Sequence, residues 1–253
     1  MKRGLLLVAV IFISGSLSAQ VYTGINIGYG MGATKDVIGL EVDGTTGTNV
    51  YGSLGAGINI GARLGYMFNE NLGFELGASY LMGSKQTLYS DGTETYEAKS
   101  SNLRIAPALV TILDNGLYTR TGLIVPVMGS TIVTATDSSI DSELEMENKG
   151  SFSVGFIGAL GYSKSLSDNM IFFAELEYIG LRIKQNTSTV TKATVGGQDM
   201  LDAIFPTVSD KEIVYVDEID FASPTPDTEP TQEFAETSPF SSLGLNVGVI
   251  IKF

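Results

Sequence analysis

The feature that most constrains the fold of this chain is an alternation of apolar and small or polar residues, which recurs in separate runs along the sequence. In the last run, every second residue from Leu243 to Phe253 is apolar, and most positions between them are glycine or polar. Successive side chains of a β-strand point to opposite faces, so each run predicts a strand with one continuously apolar face. Beyond the N-terminal segment, no run reaches the roughly 18 apolar residues of a membrane-spanning helix. The sequence therefore predicts an all-β fold.

Eight such runs are present, and the connections between them alternate between long and short. The runs cover residues 24–30, 54–68, 72–86, 100–112, 117–129, 150–163, 170–186 and 243–253. Three connections are short and rich in the residues of tight turns, at 69–71, 114–116 and 165–169. The other four are long and polar, at 31–53, 87–99, 130–149 and 187–239. Turns at one end and long loops at the other are typical of a bacterial outer-membrane barrel.

We therefore predict an eight-stranded antiparallel up-and-down transmembrane β-barrel with short periplasmic turns and long extracellular loops. A closed barrel leaves no unpaired backbone group in hydrocarbon, and its apolar face meets lipid. A soluble sandwich would instead bury its apolar faces against each other and would not sort its loops by end. A ten-stranded barrel that uses part of the fourth long connection is the structural alternative.

The N-terminal segment has the charge and hydropathy order of a secretory signal peptide. Lys2 and Arg3 precede an apolar run, and small residues ending at Ala19 follow it. We predict a signal peptide at residues 1–19 and one barrel domain at residues 20–253, with a long acidic extracellular loop at 187–239.

The signal peptide, the eight alternating runs and the terminal aromatic residue Phe253 together resemble the small bacterial outer-membrane β-barrel proteins, the class that contains the OmpA transmembrane domain and OmpX. The resemblance covers nearly all of residues 20–253. It implies a location in the bacterial outer membrane. It also implies that the last strand, ending at Phe253, is the signal read by the barrel-assembly machinery.

The face of the strands opposite the apolar one carries ionisable residues of both signs. Four are positive and three are negative: Arg63, Arg104, Arg120, Lys252, Glu75, Glu175 and Glu177. A turn centred on Asn69 predicts that Arg63 lies directly opposite Glu75. Because buried charges need partners, we expect an ion-pair belt across the lumen. Eight strands enclose only enough room for side chains, so this belt is expected to plug a polar lumen and to be structural. A narrow ion path through the belt is the alternative.

Composition excludes several functions. The chain has no histidine and no cysteine, which removes Ser-His and Asp-His catalysis, thiol nucleophiles and the usual zinc sites. A formal net charge of −13 argues against nucleic-acid binding, which needs clustered Lys and Arg. We therefore predict no catalytic residues, no cofactor and no resident metal.

Most of the negative charge falls in two of the long connections. Residues 187–239 contain eleven acids against two lysines, and residues 130–149 contain five acids against one lysine. Asp217, Glu218 and Asp220 are candidate ligands for weak binding of Ca²⁺ or Mg²⁺, bridging to lipopolysaccharide. The alternative interpretation is a solvated charge run, since no spacing of an EF-hand loop is present.

These features predict a non-enzymatic integral outer-membrane protein with a structural or surface-interaction role, in which a plugged barrel presents acidic loops. A small pore or ligand-binding channel through the charged lumen is the second hypothesis. The expected partners are outer-membrane lipid, lipopolysaccharide, the barrel-assembly machinery and a partner outside the cell. The barrel is expected to be a monomer.

Overall fold

The computed structural model describes residues 20–113, 115–221 and 225–253. The predicted signal peptide, Asp114 of the second predicted turn and residues 222–224 of the fourth long connection lie outside the described residues. The strands are β1 (Gln20–Gly32), β2 (Val37–Asp43), β3 (Thr46–Tyr51), β4 (Gly57–Met67), β5 (Leu72–Gly83), β6 (Gln86–Ser90), β7 (Glu94–Ile112), β8 (Leu117–Asp137), β9 (Ser142–Gly150), β10 (Gly155–Ser165), β11 (Met170–Gly180), β12 (Arg182–Val195), β13 (Gln198–Asp199), β14 (Glu212–Val216), β15 (Thr231–Phe234), β16 (Thr237–Pro239) and β17 (Ser242–Lys252). Two single-turn helices, Leu201–Ile204 and Val208–Lys211, interrupt the last long connection.

Eight of these strands close into an antiparallel barrel. Their order around the wall is β1, β4, β5, β7, β8, β10, β11 and β17, and β17 pairs back to β1. The prediction of eight strands is confirmed. The ten-stranded alternative is wrong, because β11 pairs directly with β17 and no described strand of the fourth long connection enters the wall.

The alternating sequence determines which side chains face the lumen. In β4, burial alternates residue by residue, so that Arg63 is 5% exposed and its neighbour Leu64 is 56% exposed. The apolar face therefore points outward around the barrel, and the face with glycine and charged residues points inward. Within the described residues, no helix has the length and apolar character needed to cross a bilayer.

Asparagine and glycine close the short turns at one end of the barrel. Between β4 and β5, the side-chain Oδ1 of Asn69 accepts hydrogen bonds from the backbone N–H of Asn71 (2.9 Å) and of Leu72 (2.8 Å). Between β7 and β8, Gly116 has a φ of +86°, a backbone conformation that favours glycine. We call this the turn end, and the opposite end of the barrel the loop end.

The long connections are more ordered than the sequence indicated. Residues 87–99 and 130–149, which we predicted as loops, are largely strands: β7 and β8 have 19 and 21 residues, whereas about 9–11 cross a bilayer. Their far ends, together with seven further strands at this end of the barrel, form one sheet beyond the barrel, and the short strands β13 and β16 pair with β12 at its margins. We call it the external sheet; its order is β3, β2, β6, β7, β8, β9, β12, β14 and β15.

Candidate functional site in the barrel lumen

Glu175 on β11 is the centre of a cluster of charged side chains in the lumen. Its Oε2 accepts hydrogen bonds from Nη1 of Arg63 (3.1 Å) and from the hydroxyl of Tyr118 (2.8 Å). Its Oε1 accepts from Nη2 of Arg120 (2.8 Å), from Nη2 of Arg63 and from the amide of Asn246 (3.3 Å). One carboxylate thus joins four side chains from three other strands of the wall, β4, β8 and β17.

Glu75 and Glu177 extend this cluster through the same two arginines. Arg120 Nη2 also donates to Glu177, and Arg120 Nε lies 3.6 Å from Glu75 Oε1. The other oxygen of Glu75 accepts a hydrogen bond from the hydroxyl of Tyr22 (3.0 Å). We call the five residues Arg63, Glu75, Arg120, Glu175 and Glu177 the charged belt.

The predicted register between Arg63 and Glu75 was wrong by two residues. Arg63 pairs across the β4–β5 hairpin with Gly77, and Glu75 pairs with Gly65. A shift of two keeps the same face of the strand, so both side chains still point into the lumen. The distance from Arg63 Nε to Glu75 Oε1 is 3.9 Å, and the closer partner of Arg63 is Glu175.

Two of the seven predicted members lie outside the charged belt. Arg104 is 1% exposed and donates from Nη2 to Asn59, but its Nε and Nη1 have no hydrogen-bond partner among the described residues and it forms no ion pair there. Lys252 lies near the turn end, on the wall of a cavity of about 1020 Å³ that the charged belt closes.

Three aromatic residues support the charged belt, and the sequence analysis did not single them out. Tyr22 and Tyr118 donate to its carboxylates, and the ring centre of Phe173 lies 4.4 Å from the guanidinium carbon of Arg63. A side-chain carbon at Gly65 would collide with the ring of Tyr22, and one at Gly161 with the ring of Tyr118. Their inward positions follow from the alternation, because Tyr22 shares a face with Asn26 and Tyr118 with Arg120.

The half of the lumen toward the loop end contains a cluster of buried hydrophobic residues together with the buried polar residues Asn59, Asn102 and Arg104, so the expected polar lumen is found only in part there. The hydrophobic residues are Leu54, Ala98, Ala106, Ile124, Ile157, Ile179, Leu181, Ile183 and Phe240. Backbone hydrogen bonds join the segment around Phe240 to its neighbours at this level: Leu54 N donates to Pro239 O (2.9 Å), and Phe240 N donates to Leu181 O (2.9 Å). We call this cluster the apolar layer.

The acidic residues outside the barrel make separate pairs. Asp217, a candidate cation ligand with Glu218 and Asp220, lies 2.5 Å from the amine of Lys184. No group of three or more acidic side chains in the described part of the chain is arranged to hold a metal ion. The hydrogen bond from Lys192 to Glu143 (2.5 Å) lowers the pKa of Glu143 and raises the pKa of Lys192.

The C-terminal residue completes the closing pair of strands. The backbone N–H of Phe253 donates to the carbonyl of Val21 (3.1 Å), which continues the pairing of β17 with β1. Its ring is 79% exposed on the barrel surface.

Comparisons with known proteins find similar solved structures and one matching family. Among solved structures, Neisserial surface protein A is similar over 94% of this chain and 100% of its own, with 11% identity and a TM-score of 0.39. Ail, the attachment invasion locus protein of Yersinia pestis, is similar over 93% of this chain and 97% of its own, with 8% identity and a TM-score of 0.36. Curated protein sequences give no match. The model of the family described as OmpA-like transmembrane domain matches residues 17–196, which is more than half of the chain. The chain therefore belongs to the OmpA-like transmembrane domain family and lies in the bacterial outer membrane.

Proposed function

We propose that this protein is a non-enzymatic, sealed barrel whose role is to hold the acidic external sheet at the cell surface, where it contacts a partner outside the cell. The observation that carries the proposal is the double closure of the lumen. The charged belt crosses the lumen above the cavity at the turn end, and the apolar layer lies nearer the loop end. A barrel whose lumen is closed at two levels anchors the external sheet in the membrane and does not let solutes cross it.

The shape of the displayed part supports the same role. Strands β7 and β8 continue well beyond the length needed to cross the bilayer, and they carry β9, β12 and β14 on one side and β6 on the other. Rigid scaffolds that hold loops and strands away from a surface commonly present binding residues. The two segments 130–149 and 187–239 give this surface a strong negative charge.

The test has two measurements. Single-channel recording of the refolded protein in a planar bilayer should show no conductance. Separately, residues 197–236 are replaced by a Gly/Ser linker of about 20 residues, whose extended reach of about 66 Å is enough to return over the roughly 36 Å from the tip of β12 to β16. Cells with this variant should assemble the barrel normally but lose surface adhesion and aggregation. Steady conductance of folded native protein, or adhesion unchanged by the replacement, contradicts the proposal.

A small pore through the lumen is the second candidate function, and the cavity at the turn end is the observation that favours it. About 1020 Å³ of open space leads from that end to the charged belt, and Lys252, Glu70 and Glu75 line it. Under this candidate, folded native protein conducts, and replacing Glu75 and Glu175 together by alanine changes the ion selectivity.

Further partners follow from the same proposal. We propose that the barrel-assembly machinery reads β17 with Phe253, that the protein is a monomer, and that Asp217, Glu218 and Asp220 contribute to weak cation bridging with lipopolysaccharide. The exposed ring of Phe253 and its position beyond the last strand support the first of these. Phe253→Ala should lower the amount of assembled barrel in cells, whereas Phe234→Ala, on the external sheet, should not.

A further inference from the structure

The barrel wall is open on one side near the loop end. β8 pairs with β10 from Leu117 to Ile124 and with β9 from Thr131 to Asp137. Between these stretches, residues 125–130 have no strand partner on that side. Among the described residues, strand pairing does not join them to the facing segment, residues 149–154. We call this opening the lateral gap.

Residues on both sides of the lateral gap disfavour strand pairing there. On β8, Pro126 has no backbone N–H to donate, and Gly129 has a φ of +139°. On the facing segment, Ser151 turns away from β8, because its backbone N–H donates to Lys184 O (2.8 Å) and its hydroxyl donates to Gln185 O (3.3 Å). A proline and a glycine inside a barrel strand are residues that interrupt pairing, so the opening is a property of the sequence.

A cleft of about 670 Å³ lies behind the lateral gap. Its inner wall is the apolar layer, through Leu54, Ile183 and Phe240, and its sides include Ala98 and Val133. Polar residues, among them Lys149, Lys184 and Glu236, line the rest of the cleft, so it has an apolar side and a polar side. Its volume is typical of sites for small ligands. One lining group is a buried acceptor without a partner in the described residues, Oδ1 of Asn102.

The surroundings of the gap indicate what covers it. Met128 and Phe152, on its two sides, are 71% and 80% exposed, so the cleft is continuous with the apolar exterior of the barrel. Unpaired backbone groups such as those of residues 125–130 do not face pure hydrocarbon. The gap therefore lies at the level of the lipid head groups, where Lys149 also lines the cleft. A molecule that fits both requirements has a polar group at the gap and a hydrocarbon chain within the cleft.

We propose that the cleft binds a lipid of the outer leaflet, which inserts one hydrocarbon chain through the lateral gap against the apolar layer. The polar group of the lipid remains at the gap, beside the unpaired backbone of residues 125–130 and Lys149. A hydroxyl or amide group of the lipid donates to Oδ1 of Asn102. This site does not depend on whether the external sheet has a partner.

The first test uses the native full chain in bilayer nanodiscs that contain a phospholipid with a photoreactive diazirine midway along one acyl chain. After irradiation, cross-linked residues are identified by peptide mass spectrometry. The proposal predicts cross-links at Ile183 and Phe240, which are 8% and 3% exposed and which lipid around a closed wall cannot reach. Cross-links confined to outward residues such as Ile25 and Leu245 would overturn it.

A pair of variants on β8 provides the second test. Val133 lines the cleft, whereas Ile132, the preceding residue, points to the opposite face of the strand. Val133→Trp should lower cross-linking at Phe240 about tenfold, equal to losing the burial of roughly two methylene groups. Ile132→Trp should leave it unchanged. Undiminished cross-linking in folded Val133→Trp would overturn the proposal; if that variant does not fold, the native cross-link positions decide the question.

Discussion

Arg63 and Glu175 are 112 positions apart in the sequence, and they form a two-point ion pair across the lumen. Their strands, β4 and β11, are not neighbours in the wall, because β1 and β17 lie between them. The pair therefore bridges the barrel from inside and joins elements that backbone hydrogen bonds do not join directly. Both side chains are almost fully removed from solvent, with exposures of 4% and 0%.

Removing Glu175 should be among the most destabilising single changes in the lumen. Glu175→Ala leaves Arg63 without its closest partner and removes one of the partners of Arg120 in a desolvated site, which costs roughly 3–5 kcal/mol of unfolding free energy. Glu175→Gln keeps one acceptor oxygen, which both arginines can still contact, and should cost less. Urea unfolding of the refolded variants, followed by heat-modifiable migration on gels, measures the order. Equal losses for the two variants would contradict this order and would show that the charge of the carboxylate, rather than its capacity to accept hydrogen bonds, stabilises the site.

A double-mutant cycle separates the contribution of the Arg63–Glu175 ion pair from the contribution of general packing in the lumen. Arg63→Ala combined with Glu175→Ala should cost less than the sum of the single losses, because the second change removes a charge that the first left unpaired. The difference should exceed about 0.5 kcal/mol, the usual deviation for independent sites. Strictly additive losses would mean that the two side chains do not depend on each other.

On the outward face of the barrel, adding a charged side chain should destabilise the protein. Leu76, in the middle of β5, is 44% exposed on the lipid-facing surface. Leu76→Arg should cost roughly 2–4 kcal/mol of unfolding free energy if the residue lies near the bilayer midplane. Leu76→Ala is the matched control, because it removes the apolar side chain without adding charge. A neutral result for arginine in a phospholipid bilayer would contradict the assigned facing.

The sequence predicted the wall of the barrel well, because alternation along a strand determines which face each residue occupies. It predicted the belt less well, since a register shift of two residues, as between Arg63 and Gly77, leaves the alternation unchanged and changes only the partner. The partner of Arg63 depends on strand order and closure, which no local pattern encodes. The external sheet was missed for a different reason. In β9, Glu143, Glu145 and Glu147 alternate with Leu144 and Met146, but such a density of charge is also typical of a solvated loop.

The two layers in the lumen should close it independently. Replacing Glu75 and Glu175 by alanine opens only the charged belt, so this variant should remain silent in a planar bilayer because the apolar layer still blocks the loop end. Adding Leu54→Ala and Phe240→Ala should then produce conductance. Each variant must first be shown to be folded, since Phe→Ala in a core typically costs about 3–5 kcal/mol. Conductance from the belt variant alone would show that the apolar layer does not seal the barrel.

Protonation of Asp91 at low pH should affect the turn between β6 and β7. Asp91 Oδ1 accepts hydrogen bonds from the backbone N–H groups of Glu94 (2.7 Å) and Thr93 (2.8 Å), and these bonds hold the pKa of Asp91 below its ordinary value. Since the folded pKa is lowered, the contribution of this carboxylate to stability is complete above the ordinary pKa of about 3.9 and is lost as the pH falls through the folded pKa. In an NMR titration, the amide protons of Thr93 and Glu94 should therefore shift with a midpoint below about 3.9. Asp91→Asn keeps the acceptor without a titrating group and should abolish the transition, whereas a midpoint at or above the ordinary value would contradict the capping role of Asp91.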